Sequence, residues 1–243
     1  MTENTNRQNC AFGMSLKEPN GSFFLGTDAF LLSAYLKSNP KYPAVELGAG
    51  SGIISLLAAR KKAFSRIFSV EIQPALYEAM KQNVSDNGFD DIIEPINSDL
   101  RELDISKLVG VRTVFANPPY MKVGCGKSNA TSEKEIARHE VFGGIDDFCR
   151  AAGKILQTGG RFYTVYRPDR LESLMASLKA NGFSPKRITF VHATPNHAPS
   201  SVLTEAMFDA KESLTVTRPL FINSEDYNEI YETGTFPADF FIK

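Results

Sequence analysis

The sequence predicts an α/β fold: an open, mostly parallel sheet with helices on both faces and an antiparallel strand pair at its end. Three observations carry that expectation. From Pro43 onward, short apolar runs alternate with amphipathic stretches, as they do where buried parallel strands alternate with helices. A glycine-rich run, Val45-Glu46-Leu47-Gly48-Ala49-Gly50-Ser51-Gly52, joins the first apolar run to the first amphipathic one. Near the end, residues 186–191 and 202–208 are extended runs separated only by a Pro-rich loop over 192–201. With no helix between them they pair antiparallel.

Taken in order, strands are expected over residues 44–47, 67–70, 92–97, 113–116 and 161–166, and with the terminal pair they make a seven-stranded sheet. Helices are expected over 52–61, 74–87, 145–156 and 170–181. Pro74 suits a first helical turn, and Gly88 and Gly182 suit helix stops. Upstream, Pro19-Asn20-Gly21 between two short segments reads as a hairpin. Thr27-Asp28 then reads as the cap of a helix carrying Phe30, Leu31, Ala34 and Tyr35. Residues 1–42 thus form an N-terminal hairpin and helix, and 43–243 the main domain, whose segment 213–243 reads as an extended tail.

Composition bounds the possibilities. With 42% hydrophobic and 23% charged residues among 243, the chain is globular and long enough for a full core. No apolar run approaches the roughly 18 residues of a membrane span, and the polar start over 1–9 is unlike a signal peptide. Cys10, Cys125 and Cys149 are odd in number and show no zinc spacing. No metal site and a reducing, cytoplasmic setting are therefore expected. A net charge of −1 does not announce a nucleic-acid partner. Basic residues recur locally, as Arg60, Lys61, Lys62 and Arg66, then Lys122, Lys127, Lys134 and Arg138, then Arg161, Arg167 and Arg170, then Lys186 and Arg187. They matter for RNA only if folding gathers them around one cleft.

The glycine run points to a cofactor. Glycines between strand and helix let the backbone turn tightly and approach a ligand. The spacing is Gly-x-Gly-x-Gly, and Ile53 stands where a dinucleotide-binding turn places its third glycine, which disfavours a pyrophosphate cradle. Glu71 ends the second strand, where a carboxylate accepts hydrogen bonds from ribose hydroxyls. Asp99 follows the third, placed to accept from an adenine amino group. Glu46, in the strand leading into the turn, is counted with the cofactor contacts. Ligands of such sheets bind at the carboxyl ends of the strands, where these features fall. Together they point to an adenosyl cofactor, S-adenosylmethionine. A sheet closed by an antiparallel sixth–seventh pair resembles the Rossmann-like class I methyltransferases; the nicotinamide-binding fold lacks that ending.

Asn117-Pro118-Pro119-Tyr120 follows the fourth strand, at the same edge. Two prolines fix the backbone and remove two N–H donors, so the turn presents acceptors: the Asn117 side-chain oxygen and the Pro118 carbonyl. Acceptors gripping the hydrogens of a conjugated amine favour the pyramidal nitrogen that attacks a methyl group in line. Tyr120 offers a face on which a base can stack. Asn117, Pro118 and Tyr120 are therefore the catalytic candidates. The glycine-rich stretch after Tyr120 reads as a closing loop, with Cys125 a bystander thiol. His139 reads equally as a substrate contact or a helix-end ion-pair partner.

The Asn-Pro-Pro-Tyr turn, Ala137-Arg138-His139-Glu140, Gly159-Gly160-Arg161-Phe162, Tyr166-Arg167-Pro168-Asp169-Arg170 and Lys186-Arg187-Ile188-Thr189-Phe190-Val191-His192 resemble the bacterial tRNA adenine-N6 methyltransferases. Those enzymes modify adenosine 37 of a valine tRNA. The likeness runs from about Gly21 to Arg218; the segment from His192 to Pro199 is longer and less basic than that family's hairpin. The resemblance implies cofactor contacts from Gly48, Gly50, Gly52, Glu71, Asp99 and Asn117. It also implies packing of Phe24-Leu25-Gly26-Thr27-Asp28 on the cofactor as an N-terminal lid, and an RNA partner, tRNA in particular. A DNA adenine methyltransferase usually adds a sequence-reading domain. A glutamine-amide methyltransferase of proteins adds an N-terminal helical one, and a non-catalytic RNA-binding module would not need intact acceptors at the turn.

Overall fold

The computed structural model describes residues 8–9, 14–17, 26–119 and 143–241. The Pro19-Asn20-Gly21 turn, Tyr120, the loop after it, Arg138 and His139 lie outside the described residues, as do Cys10 and Cys125.

Two short strands, β1 (Gln8–Asn9) and β2 (Ser15–Leu16), pair antiparallel, apart from the main sheet. Helix α1 (Thr27–Tyr35) follows. Here the sequence reading is corrected: Gly26 takes the cap position, Thr27 is the first helical residue, and Asp28 lies in the first turn, where a negative charge favours the helix N-terminus. From Ala29 to Tyr35 every residue of α1 is buried, so the helix is part of the core.

The main alternation is as expected. β3 (Ala44–Leu47), α2 (Ile53–Arg60), β4 (Ile67–Glu71), α3 (Pro74–Asp86), β5 (Ile93–Asn97) and β6 (Thr113–Ala116) come first. Then follow α4 (Ile145–Ile155), β7 (Arg161–Tyr166), α5 (Leu171–Ala180), β8 (Phe183–His192) and β9 (Pro199–Phe208). β3 to β7 are parallel to their neighbours, and β9 inserts antiparallel between β7 and β8. The order runs β5-β4-β3-β6-β7-β9-β8, so the chain reverses direction of growth between β3 and β6.

The sheet has nine strands, not seven, because the tail is not merely extended. β10 (Thr215–Val216) and β11 (Leu220–Phe221) both pair parallel with β8. Helix α6 (Glu225–Thr233) follows, capped by Ser224, whose hydroxyl accepts from Tyr227 N, and closed by Gly234 in the left-handed conformation.

Strand side chains alternate between two core layers. On β3, Val45 and Leu47 face α4, with Phe148, Cys149 and Ile155 in that layer, while Ala44 and Glu46 face α2. Burial pushes the Cys149 thiol up to about 12, which makes it inert as a nucleophile. Asn83 on α3 and Asn87, the residue that caps its C-terminus, behave like an extra strand edge. Each amide group exchanges two hydrogen bonds with the backbone of one residue of the N-terminal segment, Asn83 with Lys17 and Asn87 with Ser15. Asn83 Nδ2 also donates to Ser51 O in the glycine run.

Folding disperses the basic clusters among the described residues. Lys61 is half-buried between α1, α2 and the end of α6, donating to Ser33 O and Gly234 O, and desolvation lowers its pKa to about 8. Arg66 pairs with Glu94. Arg161 and Arg187 share the buried Glu205, and Arg187 lies over the Tyr35 and Phe241 rings. Lys186 is bound to Lys211 O and Ser213. Arg167 and Arg170 alone of these residues follow the carboxyl end of β7, and Arg167 pairs there with Asp169.

Candidate active site

A cleft of about 530 Å³ opens at the carboxyl edge of the sheet, where the strand order reverses. That is the volume of a small-molecule site and the position where such sheets bind ligands. Gly48 and Gly50 line it from the end of β3, Glu71 from β4, Asp99 from beyond β5, and Asn117 and Pro119 from beyond β6. Five of the sequence candidates, Gly48, Gly50, Glu71, Asp99 and Asn117, far apart along the chain, thus share one space with their neighbours.

The glycine run adopts backbone angles that other residues rarely take, with φ of 69° at Gly48, 58° at Gly50 and 87° at Gly52. At Gly48 a second constraint applies, because an added Cβ would lie 3.2 Å from the Phe148 ring. At Gly50 an added Cβ would meet nothing within 4 Å, so that residue keeps open the space in front of it. Gly52 does not line the cleft. It caps α2, and an added Cβ there would lie 2.8 Å from Met80 Cγ.

Glu71 is 4% exposed, and its carboxylate is held from two sides by backbone. Oε2 accepts from Gly50 N and Oε1 from Gln73 N, each at 2.8 Å. Each oxygen keeps acceptor capacity for a further donor. Asp99 is held differently, by Arg101, whose guanidinium and backbone N–H bond both its oxygens. These charge-assisted bonds keep the Asp99 carboxyl below the usual carboxylate range.

Glu46 does not reach the cleft. Strand alternation puts it beneath α2, where Oε2 accepts from Ser55 N at 3.0 Å and from the Ser55 hydroxyl, itself 2.7 Å from the Ser69 hydroxyl. Complete burial outweighs those bonds and pushes the carboxyl up to about 8. Thr27 and Asp28 are likewise not among the cleft residues; Thr27 bonds Tyr227 of α6. Pro118 is buried behind the half-buried Asn117, while Pro119 is exposed at the rim. Among the described residues no group of His, Cys, Asp and Glu is arranged to hold a metal. No helix among them is long and apolar enough to cross a membrane.

Comparison with known proteins agrees with this fold. Residues 36–121 match the family model of the TRM5/TYW2 methyltransferase domain. A predicted O-methyltransferase of Agrobacterium tumefaciens superposes with a TM-score of 0.67 at 20% identity, covering 86% of this chain and 96% of that one. The chain has the class I methyltransferase fold. M. jannaschii TYW2, solved in complex with AdoMet, shares this methyltransferase fold with a TM-score of 0.53 at 15% identity, over 81% and 82% of the two chains. Among curated proteins, the tRNA1(Val) (adenine(37)-N6)-methyltransferase of Phocaeicola vulgatus is 29% identical over 84% of this chain and 86% of its own. The protein of that name from Porphyromonas gingivalis is 26% identical over 74% and 73%.

The cleft also contains residues that sequence reasoning passed over. Ile72, Leu76, Leu100 and Phe148 supply apolar walls. Ile72 and Leu100 each follow one of the two acids, so their position was legible once the acids were chosen. Phe148 lies on α4, with an apolar spacing that marks only a helix face; nothing in its own sequence context points to Gly48.

Proposed function

We infer that the chain is an S-adenosylmethionine-dependent methyltransferase acting on the N6 amino group of an adenine in tRNA, at position 37. One observation carries this reading: the glycine turn, the two acids and Asn117 share a single cleft of cofactor size. The donor and acceptor set fits the cofactor. Gly50 leaves room for close approach, Glu71 has acceptor capacity for a ribose diol, and Ile72 and Leu100 offer flat apolar walls to a purine. The N-terminus of α2, beginning at Ile53, favours a carboxylate nearby. When bound, the cofactor supplies an electrophilic methyl group on a sulfonium.

The chain's own contribution lies at the end of β6. Pro118 and Pro119 leave the turn without N–H donors at those positions, so the Asn117 side-chain oxygen and the Pro118 carbonyl can accept from an amine. Two acceptors on one N–H₂ group localise its lone pair and hold it in line, an effect of alignment and fixed dipoles. Stacking of the base on Tyr120 belongs to the same reading. The substrate rests on the named relatives, which share most of the chain's length, and a cytoplasmic location goes with it.

Incubating the protein with cofactor labelled in its methyl group and, separately, tRNA, duplex DNA or a protein with an exposed glutamine tests this. Label in tRNA, recovered as N6-methyladenosine, is the expected result. Label in DNA or protein alone would replace the substrate while keeping the chemistry, and no transfer to any of them would remove both.

A further inference from the structure

Asp99 takes its side-chain hydrogen bonds from one neighbour, Arg101, through both backbone and guanidinium. Arg101 Nε lies 2.9 Å from Oδ1 and 3.0 Å from Oδ2, Nη2 is 2.5 Å from Oδ2, and Arg101 N is 2.8 Å from Oδ1. A carboxylate offers about four acceptor positions. Arg101 N is on Oδ1, Nη2 is on Oδ2 and Nε is shared between them, so three N–H groups take three of those positions and a single one remains. Asp99 lines the cleft and Arg101 does not. Their side chains are 20% and 37% exposed, so the pair is no buried structural bridge, and exposed pairs contribute little to stability. What the planar fork does supply is orientation: both carboxylate oxygens are fixed relative to the guanidinium plane.

We propose that Arg101 is a positioning residue for purine selection, holding Asp99 so that its one remaining acceptor position meets a single N–H of the cofactor's 6-amino group. This rests on the cofactor reading given above. A base without that amino group gains nothing from the fixed carboxylate, and a carboxylate released from Arg101 is free to turn away. The signature is therefore a coupling between Arg101 and the 6-amino group, which general support of the loop would not produce.

Calorimetric titration of S-adenosylhomocysteine and of its 6-desamino analogue into wild type and R101A measures that coupling. In wild type the amino compound should bind about tenfold more tightly than the analogue, the worth of one good hydrogen bond to a charged group. In R101A its affinity should fall about five- to tenfold while that of the analogue stays within about twofold, so the preference nearly vanishes. Equal losses for both ligands, or an undiminished preference, would overturn the positioning role. Wild-type protein that binds neither ligand would instead overturn the cofactor reading itself.

Discussion

The ends of β3, β4 and β5 and the end of β6 share one edge of one sheet, yet they are built oppositely. On the first side the backbone turns through three glycines with positive φ, and N–H groups are put to use: Gly50 N and Gln73 N hold Glu71. On the second side, two prolines remove N–H groups from the turn that begins at Asn117. The first side is a frame whose polar atoms already bond one another, suited to gripping a ligand of fixed shape. The second presents acceptors to something that must arrive. Affinity for the cofactor and rate of transfer should therefore be separable by mutation, one on each side.

The largest effect should come from the β6 side. Asn117→Ala is expected to lower kcat about 100-fold or more, the scale of losing one preorganised polar group at a reacting centre. Affinity for S-adenosylhomocysteine should stay within about tenfold. Single-turnover rates and calorimetry on one preparation check this. Parallel loss of rate and affinity would break the distinction, since Asn117 would then belong to the frame.

Next come the two cleft glycines. Forcing a side chain into the left-handed region costs roughly 1–2 kcal/mol at either position. Gly48→Ala should cost more, because Phe148 must also yield from 3.2 Å. Gly50→Ala meets no protein atom within 4 Å, so its further cost should appear as cofactor affinity, weakened about tenfold, with little more loss of melting temperature. Gly50→Ala protein with wild-type affinity would show that the open space before Gly50 is not where the ligand lies.

How much of this was legible depended on whether the signal was local. Strands such as Ala44–Leu47 and Thr113–Ala116 are buried on both faces and mainly apolar, which makes them readable, as is the antiparallel ending, because no helix fits between its two strands. The acids were readable because strand ends in such a sheet all point to one edge. The tail was not read, although its signals were present: Ser224 ahead of two acids and Gly234 behind make a capped helix. It went unread because β10 and β11 are two residues each and exist only by pairing with β8. Phe148 and Arg101 were missed because their roles are set by which helix or side chain lies alongside, which periodicity does not encode. Place in the motif puts Glu46 among the cofactor contacts, but alternation along β3 turns it under α2.

Glu46 therefore provides the smallest effect on binding and the finest test of the frame. Its carboxyl, at about 8 when folded, holds a proton that an ordinary carboxyl of 4.5 in the unfolded chain has released. A folded-state value above the unfolded one contributes stability that is fully present below the unfolded value and is lost as pH rises through the folded one. Between about 4.5 and 8, then, each rise in pH should erode the wild-type fold through this group. Glu46→Gln stays neutral, keeps an oxygen to accept from Ser55 N, and should remove that slope. Melting temperatures followed over the same range should fall less in the variant, and the gap should widen towards alkaline pH. Affinity for S-adenosylhomocysteine should stay within about threefold, since Glu46 reaches the glycine turn only through α2. A variant that loses binding while keeping its melting temperature would move Glu46 back among the residues that touch the ligand.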